Sequence, residues 1–234
     1  MLSCLTLKGI KTNIGQYAVL HDVSFTVPEG GVFVLLGRNG AGKSTTLKSI
    51  MGLCPPKAGS ILFKGQELQQ QYTADIARLG IAYVPEDHGI FSALTVAENM
   101  VLATAHGDFQ ESRLSWIFEL FPALKKFWRS PAGALSGGQK QMLAVARAII
   151  EPRQLILIDE PTKGLAPSII DAMAEVFKEI SLDTTILLVE QNFAFAQYLG
   201  QNMAVIDDGC IVHHGSMADF SADTDLQLRL LSLA

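Results

Sequence analysis

A glycine-rich segment with the letters G-R-N-G-A-G-K-S-T, at residues 37–45, has the residue types and the spacing of a phosphate-binding loop. Glycine followed by four residues and Gly-Lys-Ser supplies backbone N–H groups around a phosphate, an ammonium for the β- and γ-phosphates and a hydroxyl for Mg²⁺. The alternative is a glycine-rich turn that matches this pattern by chance. The residues predicted to contact the nucleotide here are Gly37, Arg38, Asn39, Gly40, Ala41, Gly42, Lys43, Ser44 and Thr45.

The sequence on either side of this loop has the pattern that the motif requires. The apolar run V-F-V-L-L at residues 32–36 predicts a buried strand that enters the loop. Residues 45–51 predict a helix that leaves it, with the positive N-terminal end of the helix facing the anion. We expect Gly37, Gly40 and Gly42 to adopt positive φ and to let the backbone approach the phosphates.

Two adjacent carboxylates, Asp159 and Glu160, follow the apolar run L-I-L-I at residues 155–158. Phosphoryl transfer from a Mg²⁺-nucleotide needs one carboxylate near the metal and a second group that polarises the attacking water. We therefore predict that Asp159 holds Mg²⁺, directly or through water, beside Ser44, and that Glu160 is catalytic. The alternative is a pair of acidic residues that only ends a strand at a turn.

The segment L-S-G-G-Q, which ends at Gln139, predicts a second anion site. Ser136 can cap the helix that follows, and Gly137 and Gly138 leave N–H groups exposed at its positive end. One nucleotide cannot easily use both sites. We therefore expect two chains in a head-to-tail arrangement, each offering this glycine turn to the γ-phosphate held by Lys43 of the other. An N-cap before an ordinary helix is the simpler alternative.

The pattern around these motifs predicts an α/β fold. Residues 3–29 alternate apolar and polar side chains around a turn at residues 13–15, which predicts two paired strands. The continuous apolar runs at residues 155–158 and 186–189 are typical of strands buried on both faces of a parallel sheet.

Residues 92–128 have a helical pattern without a strand-like interruption, and Thr95 with Glu98 forms a predicted capping box. We expect a single domain of residues 1–234, with a nucleotide-binding α/β core at residues 1–91 and 135–234 and a helical subdomain inserted at residues 92–134.

The composition argues against several classes of protein. A net charge of −5 disfavours a surface that binds nucleic acid. Cys4, Cys54 and Cys210 are odd in number and lack the spacing of a zinc site, so we expect neither disulfides nor zinc. No apolar run approaches the ~18–20 residues of a membrane span, and the N-terminus lacks the pattern of a signal peptide. We expect a cytoplasmic protein, and its 49% hydrophobic residues suggest a docked partner.

With these motifs in order, the chain resembles the nucleotide-binding subunits of ABC transporters over nearly its whole length. The phosphate loop, the L-S-G-G-Q segment and the pair Asp159 and Glu160 occur in the order and at the spacing of that family. The resemblance implies ATP and Mg²⁺ as ligands, and ATP hydrolysis coupled to transmembrane transport. It also implies a P-loop NTPase (RecA-like) core with an N-terminal antiparallel β subdomain and an inserted helical subdomain.

Four shorter segments are similar to the class of ABC importers that transports branched-chain amino acids. They are V-P-E at residues 84–86, L-T-V-A-E-N at 94–99, G-L-A-P at 164–167 and V-E-Q-N at 189–192. This class includes the urea and short-amide importers, which remain an alternative, and the chain resembles the shorter of its two ATPase subunits.

The resemblance to this class implies a particular assembly. It consists of two different ABC ATPases on two permease subunits, fed by a periplasmic or lipid-anchored binding protein, with the ATPases at the cytoplasmic face of the inner membrane. A soluble ABC ATPase without a transport role and a nucleotide-binding subunit without turnover are the competing interpretations.

Two positions depart from the general family pattern. Glu86 stands where most members have a glutamine that senses Mg²⁺ and faces the permease, so we include Glu86 among the expected metal ligands. Gln191 stands where most have a histidine that contacts the γ-phosphate. Gln191 can donate a hydrogen bond but carries no charge, so we expect this subunit's own site to hydrolyse ATP slowly. The alternative is that both residues are fully functional substitutes.

Two further contacts are predicted from the resemblance. The family stacks adenine on an aromatic residue at the position that Ile14 occupies here, and Tyr17 is the predicted replacement. The alternatives are a simple apolar contact from Ile14 and ordinary strand packing of Tyr17. Residues 86–94 are expected to border the cleft that accepts a permease helix, because Ile90, Phe91 and Leu94 form an apolar patch. Internal packing of these three side chains is the alternative.

Overall fold

The computed structural model describes residues 2–231, which form one mixed sheet with helices packed on both of its faces. The strands are β1 (Ser3–Ile14), β2 (Tyr17–Pro28), β3 (Val32–Leu36), β4 (Ala58–Phe63), β5 (Gln66–Glu67), β6 (Ile81–Val84), β7 (Leu155–Asp159), β8 (Thr185–Glu190), β9 (Asn202–Asp207) and β10 (Cys210–Ser216). The helices are α1 (Lys43–Ile50), α2 (Thr73–Arg78), α3 (Val96–Val101), α4 (Glu111–Leu120), α5 (Pro122–Lys126), α6 (Gly137–Ile149), α7 (Pro167–Ile180), α8 (Phe193–Leu199), α9 (Met217–Ala222) and α10 (Thr224–Leu231).

The strand order is β5-β4-β1-β2-β10-β9-β3-β8-β7-β6. From β9 to β6 all neighbouring strands are parallel, whereas β1 pairs antiparallel with both β2 and β4. Every residue of β3, β7 and β8 is buried, which agrees with the continuous apolar runs expected of a parallel sheet covered on both faces. The alternating β1–β2 hairpin forms the antiparallel side, as its pattern predicts.

The register of the parallel strands decides where the functional residues meet. Leu36 of β3 pairs with Glu190 of β8, and Asp159 of β7 pairs with Val189 of β8. The phosphate loop, the two carboxylates at the end of β7 and the V-E-Q-N segment therefore leave the sheet side by side. Ligands of open α/β sheets bind at this carboxyl edge.

The segment predicted as an insertion, residues 92–134, contains α3, α4, α5 and a 3₁₀ turn at Ala132–Ala134. Its buried side chains, among them Ile117 and Phe121, belong to the same apolar cluster as α6, α7 and one face of the sheet. The boundaries of a separate helical subdomain therefore stay a prediction. None of the helices within residues 2–231 combines the length and the apolarity needed to cross a bilayer.

Candidate nucleotide-binding site

The phosphate loop connects the buried strand β3 to α1, which begins at Lys43. Gly40 and Gly42 have φ of 84° and 108°, as expected of a loop that turns its N–H groups inward. The expectation of a positive φ at Gly37 is wrong. A Cβ atom at Gly37 would lie 2.4 Å from the carbonyl oxygen of Ile206, so this glycine is required by close packing against β9.

Lys43 is 4% exposed, and its ammonium is fixed by three acceptors. It lies 2.9 Å from Oε1 of Glu160 and donates hydrogen bonds to the carbonyl oxygens of Gly37 and Arg38 at 2.9 and 3.0 Å. The positive charge therefore sits inside the curve of the loop, beside the residue predicted to polarise water.

Ser44 and Asp159 are 115 residues apart in sequence but lie in contact, because β3 and β7 end at the same edge of the sheet. The hydroxyl of Ser44 donates to Oδ1 of Asp159 at 2.9 Å, and the phenol of Tyr83 on β6 donates to Oδ2 at 3.2 Å. Burial raises the pKa of Asp159, and these two hydrogen bonds oppose the increase. The sequence analysis did not predict a role for Tyr83. The feature that could have indicated one is its hydroxyl, the one polar side-chain group in the strand I-A-Y-V.

Glu160 lies in the left-handed region, with φ of 45°, although it is not glycine. A residue held in this region costs about 1 kcal/mol or more, so the surrounding contacts must stabilise it. Lys43 holds one carboxylate oxygen, and the Nζ atom of Lys163 lies 3.8 Å from the other. Lys163 also forms a 2.5 Å ion pair with Glu86, which the sequence did not predict.

Glu190, at the end of β8, organises the loops on either side of the site. One of its oxygens accepts the backbone N–H groups of Gln191 and Asn192 at 3.0 Å, and the other accepts the N–H of Thr162 at 3.2 Å. The side chain is 1% exposed, and this burial raises its pKa. Glu190 therefore ties the loop after β7 to the loop after β8.

A cavity of about 470 Å³ opens where these loops meet. Its lining contributes two ammonium groups, two carboxylates and the N-terminal turn of α1. The oxygen ligands nearby, a hydroxyl and carboxylates, are the chemistry that Mg²⁺ prefers. The lining residues are Val19, Asn39, Gly40, Gly42, Lys43, Ser44, Thr45, Glu86, Glu160 and Lys163.

Four of the predicted site residues lie in the L-S-G-G-Q segment, outside the lining of this cavity. Ser136 caps α6, and its capping box with Gln139 has both hydrogen bonds, so the predicted cap is confirmed. Gly137 faces open space, whereas a Cβ atom at Gly138 would lie 3.1 Å from Ile169 of α7. The chain's own phosphate loop and this segment therefore do not share one cavity.

Tyr17 and Gln191 also lie outside the lining of the cavity. Tyr17 is 80% exposed and pairs across the hairpin turn with Ile14, which is half-exposed. Val19, further along the same strand, is the hairpin residue that lines the cavity. Adenine stacking on Tyr17 and a catalytic contact from Gln191, which is exposed, both stay predictions.

The loop that follows β6 is held by a buried asparagine, Asn99, on α3. Its amide group accepts the N–H of Phe91 at 2.9 Å and donates to the carbonyl oxygens of Phe91 and Thr95 at 3.0 and 2.9 Å. Phe91 is half-exposed, and Ile90 and Leu94 are partly buried. Ile90 packs against the core, as the alternative of internal packing expects, and Phe91 is the exposed member of the three. The permease cleft beside residues 86–94 stays a prediction.

Comparison with known proteins gives consistent findings. Residues 20–163, more than half of the chain, match the family described as ABC transporter. The chain is 40% identical over 218 residues (92% of this chain, 93% of the relative) to the high-affinity branched-chain amino acid transport ATP-binding protein BraG of Pseudomonas aeruginosa. It is 34% identical over 216 residues (90% and 92%) to the probable branched-chain amino acid transport ATP-binding protein LivF of Archaeoglobus fulgidus.

The fold is also similar to solved structures. The structure of an ATP-binding subunit of an ABC transporter is 30% identical and covers 98% of this chain and 97% of its own, with a TM-score of 0.83. A bacterial Atm1-family exporter with ATP bound, 21% identical, has a TM-score of 0.85 over 97% of this chain and 41% of its own. The predicted fold class is therefore confirmed.

Proposed function

This chain belongs to the ABC transporter family of ATP-binding proteins, and on that premise we propose that it energises an importer for branched-chain amino acids. It is an ATPase of the ABC importer type. The solute is suggested by the relatives in Pseudomonas aeruginosa and Archaeoglobus fulgidus, both of which are described as branched-chain amino acid transport proteins.

The observation that supports the proposed ATP hydrolysis is that two pairs of side chains, Lys43 with Glu160 and Ser44 with Asp159, lie at one edge of the sheet. Lys43 lies 2.9 Å from Glu160, and Ser44 donates to Asp159 at 2.9 Å. Residues 37–45 would bind the phosphates of ATP through backbone N–H groups, the ammonium of Lys43 and the N-terminal end of α1. The side chain of Glu160 would orient and polarise the attacking water.

Mg²⁺ fits the oxygen donors at this site, and Ser44, Asp159 and Glu86 are the residues that would hold it. Bound there, the ion would neutralise charge that develops on the phosphate oxygens. The hydroxyl of Tyr83 keeps the carboxylate of Asp159 oriented toward Ser44, since it binds the other carboxylate oxygen.

Glu160→Gln tests the proposed catalytic role. The amide cannot accept a proton from water, so Mg²⁺-dependent ATP hydrolysis is expected to fall by about 10²–10⁴-fold. ATP binding, measured by calorimetry, is expected to persist because the phosphate loop is unchanged. Glu175→Gln, an exposed carboxylate on α7, is the matched control and is expected to hydrolyse ATP normally. Full activity of Glu160→Gln would contradict the assignment.

We also propose that the chain's own site is the slower of two sites in a hetero-oligomer. Gln191 cannot supply the positive charge that a histidine can bring to the γ-phosphate, and the loss of one such contact commonly costs about 10²–10³ in rate. In the assembled complex, Glu160→Gln in this chain is then expected to reduce turnover less than the equivalent change in the partner ATPase. Equal losses would refute this asymmetry.

The proposed partners are a second, different ABC ATPase, two permease subunits and, through them, a solute-binding protein. The proposed location is the cytoplasmic face of the inner membrane. The half-exposed Phe91, on the loop fixed by Asn99, supports a permease contact at this surface. Purification through a tag on this chain is expected to recover the permeases with the membrane fraction.

Reduced leucine uptake in cells that lack the chain tests the proposed solute.

A further inference from the structure

Lys163 is a second lysine in the lining of the nucleotide cavity, and none of the motifs above accounts for it. It follows β7 in the segment P-T-K-G-L. Its ammonium lies 2.5 Å from Oε1 of Glu86 and 3.8 Å from Oε2 of Glu160. Because Lys43 binds the other oxygen of Glu160, two ammonium groups flank a single carboxylate at the place where the terminal phosphate is expected.

The charges around the cavity indicate what Lys163 does. Lys43 is buried and already engaged by Glu160 and two carbonyl groups, whereas Gln191 lies outside the lining and carries no charge. Glu86 and Glu160 both add negative charge beside the position of a highly anionic ligand. Lys163 is the one further cation in the lining described here that can offset a third phosphate.

The ion pair that holds the ammonium of Lys163 is exposed to solvent. The side chain of Lys163 is 56% exposed and that of Glu86 is 42% exposed, so solvent screens the ion pair between them. Such exposed pairs are weak, and a lysine ammonium on a flexible four-carbon stem is readily redirected to a stronger anion. A phosphate group beside Lys43 is a stronger anion than a solvated carboxylate.

We propose that Lys163 is a phosphate-binding residue, whose ammonium exchanges Glu86 for the γ-phosphate when ATP occupies the loop at residues 37–45. This inference rests on the proposed ATP site and adds a contact from the same chain. In this proposal, Lys163 supplies to the γ-phosphate the positive charge that Gln191 cannot supply. Glu86 then holds Lys163 at the cavity until the nucleotide arrives.

A different role for Lys163 would be to neutralise Glu86 without touching the nucleotide. Both roles predict weaker ATP binding in Lys163→Met, because either a contact is lost or an unpaired carboxylate is left beside the phosphates. The two roles predict different ATP affinities for the double variant that combines Lys163→Met with Glu86→Gln. If Lys163 only neutralises Glu86, the double variant regains the affinity of the wild type. If Lys163 binds the phosphate, the affinity stays low.

The experiment is calorimetric titration of the full chain with ATP and with ADP, in EDTA and in Mg²⁺. The double variant is judged in EDTA, because Glu86 is also a proposed ligand of Mg²⁺. For ATP, Lys163→Met and the double variant are both expected to bind about tenfold more weakly than the wild type, which corresponds to about 1.4 kcal/mol. ADP affinity is expected to change little, because ADP lacks the γ-phosphate. Lys163→Arg is expected to keep most of the ATP affinity.

The matched control is Lys178→Met on α7, which removes an exposed lysine that is also paired with a glutamate, Glu175. It is expected to leave both affinities at the wild-type values. Recovery of ATP affinity in the double variant, or equal losses for ATP and ADP in Lys163→Met, would overturn the proposal. Absence of ATP binding by the wild type would instead refute the proposed function, so the two failures are distinguishable.

Discussion

A single buried carboxylate, that of Glu190, fixes the start of two loops that border the candidate site. It is 1% exposed and accepts three backbone N–H groups, from Thr162, Gln191 and Asn192. Hydrogen bonds from N–H groups favour the charged form, whereas removal from water disfavours it. Burial is the larger effect here, and the pKa of Glu190 is raised above 4.5, its ordinary value.

The raised pKa of Glu190 predicts a pH-dependent contribution to stability. The folded protein binds the proton of this carboxyl more tightly than the unfolded chain does. Its contribution to the free energy of unfolding is therefore complete below the ordinary pKa and is lost as the pH rises through the raised pKa. Each unit of pKa difference is worth about 1.4 kcal/mol.

Glu190→Gln removes this titration, so the variant and the wild type are expected to have different pH profiles. In urea unfolding, the stability of the wild type relative to the variant should decline as the pH rises above 4.5, the ordinary pKa of this carboxyl, and through its raised pKa in the folded protein. The other titratable groups contribute equally to both proteins, so their effects cancel when the stability of the variant is subtracted from that of the wild type. Glu175→Gln, which removes an exposed carboxylate, provides the control. Parallel profiles for Glu190→Gln and the wild type would show that the ionisation of Glu190 is not coupled to folding.

At the scale of elements, α6 supports the loop after β6 through two of its side chains. Gln141, which is buried, lies 2.6 Å from Nδ1 of His88. Arg147 donates to the carbonyl oxygen of Gly89 at 2.5 Å, and its guanidinium lies 5.2 Å from the centre of the Phe91 ring. The helix that begins with the L-S-G-G-Q segment is thus joined to the loop that carries Glu86.

Arg147→Met tests this connection, since methionine keeps much of the apolar volume but removes the guanidinium. The amides of residues 86–91 are expected to exchange hydrogen faster, while global stability falls by about 1–2 kcal/mol for the lost hydrogen bond and packing. Hydrogen exchange followed by mass spectrometry measures both. The control is Arg78→Met on α2, which removes an exposed ion pair with Asp75. Unchanged exchange in residues 86–91 would refute the support assigned to Arg147.

Local patterns predicted most elements because the deciding interactions lie close in sequence. Thr95 and Glu98 form both hydrogen bonds of their predicted capping box, and Ser136 caps α6 as predicted. The pairing of Lys163 with Glu86 joins loops 77 residues apart, and no local pattern specifies it. The sequence likewise could not reveal that Gly37 packs against Ile206, because that contact depends on the position of β9.

For the whole molecule, the order of the strands brings distant motifs together. The sequence predicted buried parallel strands, but their order is set by how they pack. The central position of β8, between β3 and β7, is what unites the phosphate loop, Asp159 and Glu190. The motifs of the candidate site were therefore predictable, whereas the contacts of Tyr83 and Lys163 required the assembled sheet.

The position of the L-S-G-G-Q segment leads to the last prediction. Its open N-terminal turn, at Ser136 and Gly137, lies on the surface and outside the cavity that contains Lys43. As the sequence predicted a second anion site at this helix end, we propose that it completes the nucleotide site of another chain. In the proposed arrangement the turn at Ser136 would contribute to the nucleotide site of the partner.

Ser136→Asp isolates this contribution, because aspartate also caps helices well and so keeps α6 intact. The added negative charge is expected to repel a phosphate brought by the partner and to reduce hydrolysis by the assembled complex at least about tenfold. ATP binding to the isolated chain should be unchanged, whereas Lys43→Ala should abolish it. Ser216→Asp, at the cap of α9, is the control and should affect neither measurement. Weakened ATP binding by isolated Ser136→Asp would instead assign the segment to the chain's own site.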